Sequence, residues 1–366
     1  GHHLTLLVQD ATGWGNLCAL ITAARHNATK GEAILPQGLL AEHTTGLIAR
    51  SGCRQGTVPA ALLTGDHERA LAAATHLRDL FRRDRCWIEL QHHLRPEDRR
   101  LNADLAALAR QIGVGVVATN NVHYAVREWQ PLQDVLVCIR HNTTLDDNPP
   151  LRPNSEYYLK SGAELAPLFA RHPEALANTR RIAAACDFDL QYGLQTLPAF
   201  PTPDGLDADA YLRQLCQAAL TPFDLPASAA DQLEHELRVI AHSGLSNYFL
   251  IVWDIVRFAT DNGILCQGRG SAANSLVAYL LGITPVNPLA QRLVFERFLS
   301  AERQVVPDID IDFDAARREE VIQYVYGRYG LEHAAMACTF VTFRARSAIR
   351  DVGKALGLPL DRLDQA

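Results

Sequence analysis

The order of apolar and polar positions changes character along the chain. In the first 125 residues, the short apolar runs "HLTLLVQD", "GLIARSGC", "CWIELQHH" and "GVGVVATNNVHY" alternate with alanine- and leucine-rich stretches of helical period. Strands alternating with helices predict an α/β fold. The clearest helix is Leu101 to Ile112, which Gly113 closes ahead of Val114, Val116 and Val117. The ends of the expected strands carry Cys53, Glu89, His92, His93, Asn121 and His123, where α/β folds place their ligands.

From Asp207 the period is helical up to "DNG" at residues 261–263. "ILCQGRGS" then reads as strand, glycine loop and helix start, and "VVPDIDIDF" as a second strand. Two proline-rich stretches, "NPPLRPN" (148–154) and "LPAFPTPDG" (197–205), bracket a helical region, and the boundary is placed near residue 190. With 366 residues and 48% hydrophobic content, the chain has room for two or three domains. The division expected is 1–187, 188–338 and 339–366.

A net charge of -6 denies the chain a global basic surface, so any nucleic-acid binding rests on a local patch. The longest apolar stretch, Tyr248 to Phe258, is broken by Asp254 and Arg257 and is too short to span a bilayer; with no leader-like opening, a cytoplasmic location is expected. Eight cysteines without a CxxC pair argue against a zinc ribbon or a disulfide framework and suit a reducing compartment. The absence of methionine at Gly1 and the stop just after a helix-like run suggest a piece of something longer.

Two motifs carry the chemistry. In "GRGSAANSLVAYLLG", Gly268 and Gly270 let backbone approach a ligand, and Ser271 is expected to cap a helix over Ala272 to Leu281 whose free N–H groups attract phosphate beside Arg269. An ordinary tight turn with a serine cap would read the same way. In "PDIDIDF", strand alternation puts Asp308, Asp310 and Asp312 on one face, so a metal or several arginines must offset them. Two carboxylates so placed suit a pair of magnesium ions for phosphoryl transfer; the bland alternative is a solvent-facing edge strand. Arg297 and Arg303 precede this run and Arg317 and Arg318 follow it, while Arg344, Arg346, Arg350 and Lys354 form a basic helical side suited to DNA phosphates or simply to solvent. His3, Cys53, His92, His93, Asn121 and His123 form a metal cluster only if the strand ends converge, and Asn121 offers a neutral oxygen where an aspartate suits better.

The order and wording of "YFLIVWDIVRFATDNGILCQGRGSAANSLVAYLLGIT", "FERFLSAERQVVPDIDIDF" and "FVTFRARSAIRDVGKALGL" resemble the bacterial C-family DNA polymerase III alpha subunit. Upstream, "HLTLLVQDATGWGNLCALI", "WIELQHHLRPED", "VVATNNVHY" and "PEALANT" resemble the polymerase-and-histidinol-phosphatase (PHP) domain that precedes its palm. "QGRGSAANS", "NNVHY", "IRHNTTLD" and "REEVIQYVYGRYG" look more like the error-prone, damage-inducible branch. The resemblance implies a PHP-like α/β domain lacking its N-terminal part, a polymerase-beta-like nucleotidyltransferase palm and the start of a helical thumb.

It also implies Mg2+ on Asp308 and Asp310, with Asp312 supporting, and triphosphate on Gly270, Ser271, Arg269 and Arg297. Primed DNA would lie on Arg344, Arg346, Arg350 and Lys354, with deoxynucleoside triphosphates as substrates. His3, Cys53, His92, His93, Asn121 and His123 would be a vestigial PHP site. A sliding clamp and mutagenesis accessory proteins would bind through regions outside this chain. The third catalytic aspartate is expected beyond Ala366, leaving the chain inactive alone. A metal-dependent phosphoesterase or a non-catalytic scaffold, through the PHP-like domain, is the alternative function.

Overall fold

The computed structural model describes all residues except 1, 27, 30, 191–197, 222–224, 227, 300–306, 331–332 and 364–366. The chain divides into two compact units, residues 1–190 with 341–366, and residues 191–340.

The first unit is built on a four-stranded sheet in sequence order: β1 (Thr5–Val8), β2 (Leu47–Arg50), β3 (Cys86–Gln91) and β4 (Gly115–Thr119). β1 runs antiparallel to β2; the β2–β3 and β3–β4 pairs are parallel. Every residue of β3 is buried, as befits a strand with parallel neighbours on both sides. Helices α1 (Ala11–His26), α2 (Gln37–Glu42), α3 (Thr57–Leu63), α4 (His67–Phe81), α5 (Asp98–Ile112), α6 (Gln130–His141), α7 (Gly162–Leu165) and α8 (Pro173–Ala185) complete residues 1–190. α4 starts where Asp66 accepts the Arg69 amide at 3.0 Å, and α5 stops at Gly113 in the left-handed region.

Strand alternation sorts this sheet. Ile88, Leu90, Val116 and Ala118 pack with Leu101, Leu105 and Ile112 of α5 on one face. Ile48, Trp87 and Val117 meet Ile182 of α8 on the other. Further along each strand, that second face turns polar with Arg50, Glu89, Gln91 and Thr119. The four expected strands and the helix ending at Ile112 are therefore present.

The second unit holds α9 (Ala208–Leu220), α10 (Ser228–His242), α11 (Ser246–Asp261), β5 (Cys266–Arg269), α12 (Leu276–Leu280), β6 (Asp310–Phe313) and α13 (Arg318–Tyr329). Its core joins Leu212, Leu237, Ile240, Phe249, Leu250, Leu276, Val277 and Phe295. β5 and β6 pair antiparallel, with Arg269 opposite Asp310 and Gly268 opposite Ile311. After residue 340, α14 (Ala345–Ala355) and α15 (Leu360–Leu363) belong to the first unit, α14 lying against α6. The segment set apart in the sequence as the start of a thumb is this packed pair. No single described helix is long and apolar enough to cross a membrane.

Candidate active site

β6 is short, but its alternation extends back to Asp308. Asp308, Asp310 and Asp312 are exposed, while Ile309 and Ile311 pack on the second unit's core and Phe313 on a smaller cluster with Ile264 and Val321. Three like charges on one face require an opposite charge. Arg269 supplies it from β5: its Nε lies 3.2 Å from Asp312 Oδ2 and its Nη1 3.8 Å from Asp310 Oδ2. All three side chains are more than half exposed, so these pairs add well under about 1 kcal/mol each; their effect is on local charge.

The glycine turn closes on the same carboxylates. Gly270 has φ +70°, and a Cβ there would stand 3.8 Å from Asp310 Oδ2. Ser271 Oγ lies 3.5 Å from the Asp308 carbonyl oxygen. Loop and acidic strand thus share one place. Gly268 serves differently: its amide donates to the Ile283 carbonyl at 2.8 Å, and a Cβ would overlap that oxygen. Its smallness admits neighbouring backbone, not a ligand.

Two readings of the glycine segment are corrected. Residues 270–274 form a 3-10 turn, and the α-helix begins only at Leu276, capped by Ser275 whose Oγ accepts the Ala278 amide at 3.1 Å; Ser271 caps nothing. Nor are the helix's first N–H groups free for phosphate. Glu236 of α10, fully buried, accepts the Leu276 amide at 2.9 Å, the Val277 amide at 3.1 Å and the Ser275 hydroxyl at 2.8 Å. Burial pushes its carboxyl above the ordinary range, against the pull of these hydrogen bonds and one from Gln232. Nothing in the sequence pattern of α10 marks this glutamate, because an (i, i+3/i+4) helix face says nothing of which acid turns inward.

α11 holds both the start of β6 and α13. The Tyr248 hydroxyl accepts the Ile309 amide at 3.1 Å, and burial, with added repulsion from Asp308 and Asp310, pushes its phenol upward despite that hydrogen bond. Asp254, fully buried, accepts from the hydroxyls of Tyr324 at 2.6 Å and Tyr329 at 2.9 Å on α13, and pairs with Arg257 at 3.0 Å and Arg328 at 3.6 Å. Phe258 stacks on Tyr324 with ring centroids 3.9 Å apart. The acid that interrupts the apolar run Tyr248–Phe258 is thus a structural hub.

The arginines divide. Arg297 ends a 3-10 turn, Phe295–Arg297, that lies against the Gly270–Asn274 turn; its side chain is exposed and makes no ion pair among the described residues. Arg303 lies outside the described residues. Arg317 is occupied structurally, pairing with Glu320 at 2.7 Å and donating to the Asn262 carbonyl at 2.9 Å. Arg344 is the residue before α14; Arg346 and Lys354 are exposed on that helix, with Arg350 half-buried between them. Lys354 also lines, with Asp351, a 350 Å³ pocket against Cys138, Asn142 and Asp147.

In the first unit a 380 Å³ pocket at the polar strand ends is lined by His3, Arg50, Cys53, Glu89, Gln91, Thr119, Asn120 and Asn121. Cys53 Sγ lies 3.5 Å from His3 Nδ1. Glu89 accepts from Thr119 and, at 3.0 Å, from Gln91, and its second oxygen is buried without a protein partner. The other expected members are not assembled there. His93 Nε2 donates to the Asn120 carbonyl at 2.9 Å while its ring stacks on Tyr157, and burial lowers it to about 4. His92 Nδ1 accepts the Leu94 amide, and His123 sits edge-on to Tyr157; burial lowers both. Asn121 lines the pocket at φ +41°. Among the described residues no three of His, Cys, Asp and Glu come together to hold a metal ion.

Comparison with known families matches two stretches of the chain. Residues 1–93 match the PHP domain, and residues 210–366 match the bacterial DNA polymerase III alpha NTPase domain. The chain carries a PHP domain followed by a DNA polymerase III alpha domain. It is 43% identical to the error-prone DNA polymerase of Symbiobacterium thermophilum over 100% of its own length, 44% identical to that of Mycobacterium bovis over 98%, and 42% identical to that of Methylococcus capsulatus over 100%. It spans 35%, 33% and 34% of those relatives respectively.

Proposed function

We propose that this chain supplies the PHP and palm portions of an error-prone DNA polymerase, which adds deoxynucleotides to a primer 3′ end on a template and releases pyrophosphate. The observation that carries the reading is the meeting of the Gly270–Ser271 turn with Asp308 and Asp310. A glycine at positive φ beside a carboxylate keeps the turn's backbone close to the acidic strand, as a triphosphate held jointly by both requires.

The donor set fits a hard divalent cation: exposed carboxylate oxygens side by side on one strand face. Asp308 and Asp310 would hold Mg2+, which when bound offsets phosphate charge and favours the hydroxyl as nucleophile. The chain's own groups bind and orient. Arg269 would exchange its aspartate partners for phosphate oxygens, with Arg297 beside the turn as a second cation. Asp312 steadies Arg269. Arg344, Arg346, Arg350 and Lys354 would contact DNA phosphates. The first unit's role is structural and not catalytic, since His93, His123 and Asn120 are committed to internal packing. The location is cytoplasmic, and clamp and accessory partners bind elsewhere on the polymerase.

Primer extension by the full-length polymerase tests this. Asp308→Asn or Asp310→Asn should abolish Mg2+-dependent extension and leave folding intact, whereas Asp312→Asn should slow it only partly. Undiminished extension in either of the first two variants overturns the assignment.

A further inference from the structure

The register of the β5–β6 ladder ends at the Arg269–Asp310 pair. Ile309 is therefore the first residue past the paired strand, and its amide has no partner across the ladder. That amide sits between the two carboxylates that matter most. Tyr248 reaches it from α11, its hydroxyl oxygen 3.1 Å from the Ile309 nitrogen. The ring is anchored against the second unit's core, edge-on to the buried Phe249 at 6.3 Å, and Ile309 packs on the same core. No other side-chain hydrogen bond holds the backbone of residues 308–310 except the longer one from Ser271 to the Asp308 carbonyl, among the described residues.

We propose that Tyr248 is a positioning residue for the Asp308–Asp310 pair, fixing through the Ile309 amide the separation at which the two carboxylates are presented to a divalent cation. The cation's role rests on the polymerase reading above; the hold on the strand does not. Removing the hydroxyl leaves a partly buried amide unsatisfied and lets the residues before β6 swing away from the Arg269–Asp310 pair. Since Asp310 remains in the ladder, the change falls on Asp308 and on the geometry between the two. A phenylalanine at 248 keeps the ring's packing, so the unit should fold as before.

Two measurements on this 366-residue chain test the proposal. Hydrogen exchange of the peptide covering 307–313 should be about tenfold faster in Tyr248→Phe, the effect of one ordinary hydrogen bond, with α10 and α12 unchanged. Titration with Mn2+, read by its paramagnetic signal, should show binding that is lost in an Asp308→Asn, Asp310→Asn double variant and weakened about fivefold or more in Tyr248→Phe. In the full-length polymerase, Tyr248→Phe should lower the incorporation rate and raise the Mg2+ concentration needed for half-maximal rate while leaving KM for the nucleotide within about twofold. Unchanged exchange at 307–313 overturns the proposal, as does faster exchange throughout the unit, which would make the tyrosine a packing residue only. If exchange accelerates locally but the parent chain binds no Mn2+ at these aspartates, the hold stands while the metal reading of the site fails.

Discussion

Arg269 reaches across the β5–β6 ladder to Asp312, its Nε 3.2 Å from the carboxylate, and so gives the acidic strand a counter-charge of its own. Two opposite effects are expected of Arg269→Gln. In the 366-residue chain, with Asp310 and Asp312 freed of Arg269, Mn2+ should bind at Asp308 and Asp310 more tightly, by a few-fold, because no internal cation competes. In the full-length polymerase the same variant should raise KM for the nucleotide about tenfold or more, because a charge-assisted hydrogen bond to phosphate is gone. Metal titration and steady-state kinetics read the two separately.

The two glycines of the turn should fail differently. Gly268→Ala drives a Cβ into the Ile283 carbonyl and should destabilise the second unit by about 3 kcal/mol. Gly270→Ala meets nothing closer than Asp310 Oδ2 at 3.8 Å but must hold φ +70°, a strain of about 1–2 kcal/mol. Denaturant titration of both variants should rank them in that order, with Gly270→Ala the more harmful to nucleotide incorporation relative to its effect on stability.

Glu236 accepts four hydrogen bonds, from Ser275, Leu276, Val277 and Gln232, and its glutamine analogue can accept only on one oxygen. Glu236→Gln turns an amide NH2 toward donors and should cost about 2–3 kcal/mol of stability. The midpoint of urea unfolding for the second unit measures it.

His93 is buried and neutral, its folded value near 4 lying well below the ordinary histidine range. On acidification the unfolded chain takes up this proton first, so stability should fall as pH drops from about 6.5 to about 4, by on the order of 3 kcal/mol for this group. His92 and His123 shift in the same direction. Unfolding free energies across that window should slope upward with pH, and His93→Phe, which keeps the stack on Tyr157, should flatten the slope.

DNA binding through the basic helix should depend on salt. Arg344→Ala with Arg346→Ala should weaken primed DNA binding regardless of sequence and reduce the slope of log affinity against log salt by about 1 for each of the two arginines that reaches a phosphate. Equal slopes would remove these residues from the interface.

Period is what makes the fold legible in the sequence. The alternation of "DIDID" with apolar neighbours states which side is acidic, and "GVGVV" after a glycine-closed helix locates β4 and its partner β3. Period does not report which polar group ends inside. Glu236 and Asp254 each sit on helices whose pattern is as consistent with exposure, and only the tertiary meeting of α10 with α12, and of α11 with α13, turns them inward. The helix cap is misread for a related reason: Ser271 and Ser275 are equally good caps by type, and the 3-10 turn between them is set by Gly270's conformation and the Glu236 carboxylate waiting at Leu276. Position at strand ends groups the histidines of the first unit, whereas Tyr157, from a loop far along the sequence, draws His93 and His123 to itself.

Asp254 has a mechanical consequence. With two tyrosine hydroxyls and the Arg328 guanidinium of α13 closing on one buried carboxylate of α11, α13 is clamped to α11, and Asp314 at the far end of β6 is joined by its amide to Leu265 just after α11's turn. β6 is then a short beam held at one end by Tyr248 of α11 and at the other by the chain that leaves α11. A displacement of α11 then moves the beam largely as a body and preserves the spacing along it, so strain reaching α11 would shift where the carboxylates sit without pulling them apart.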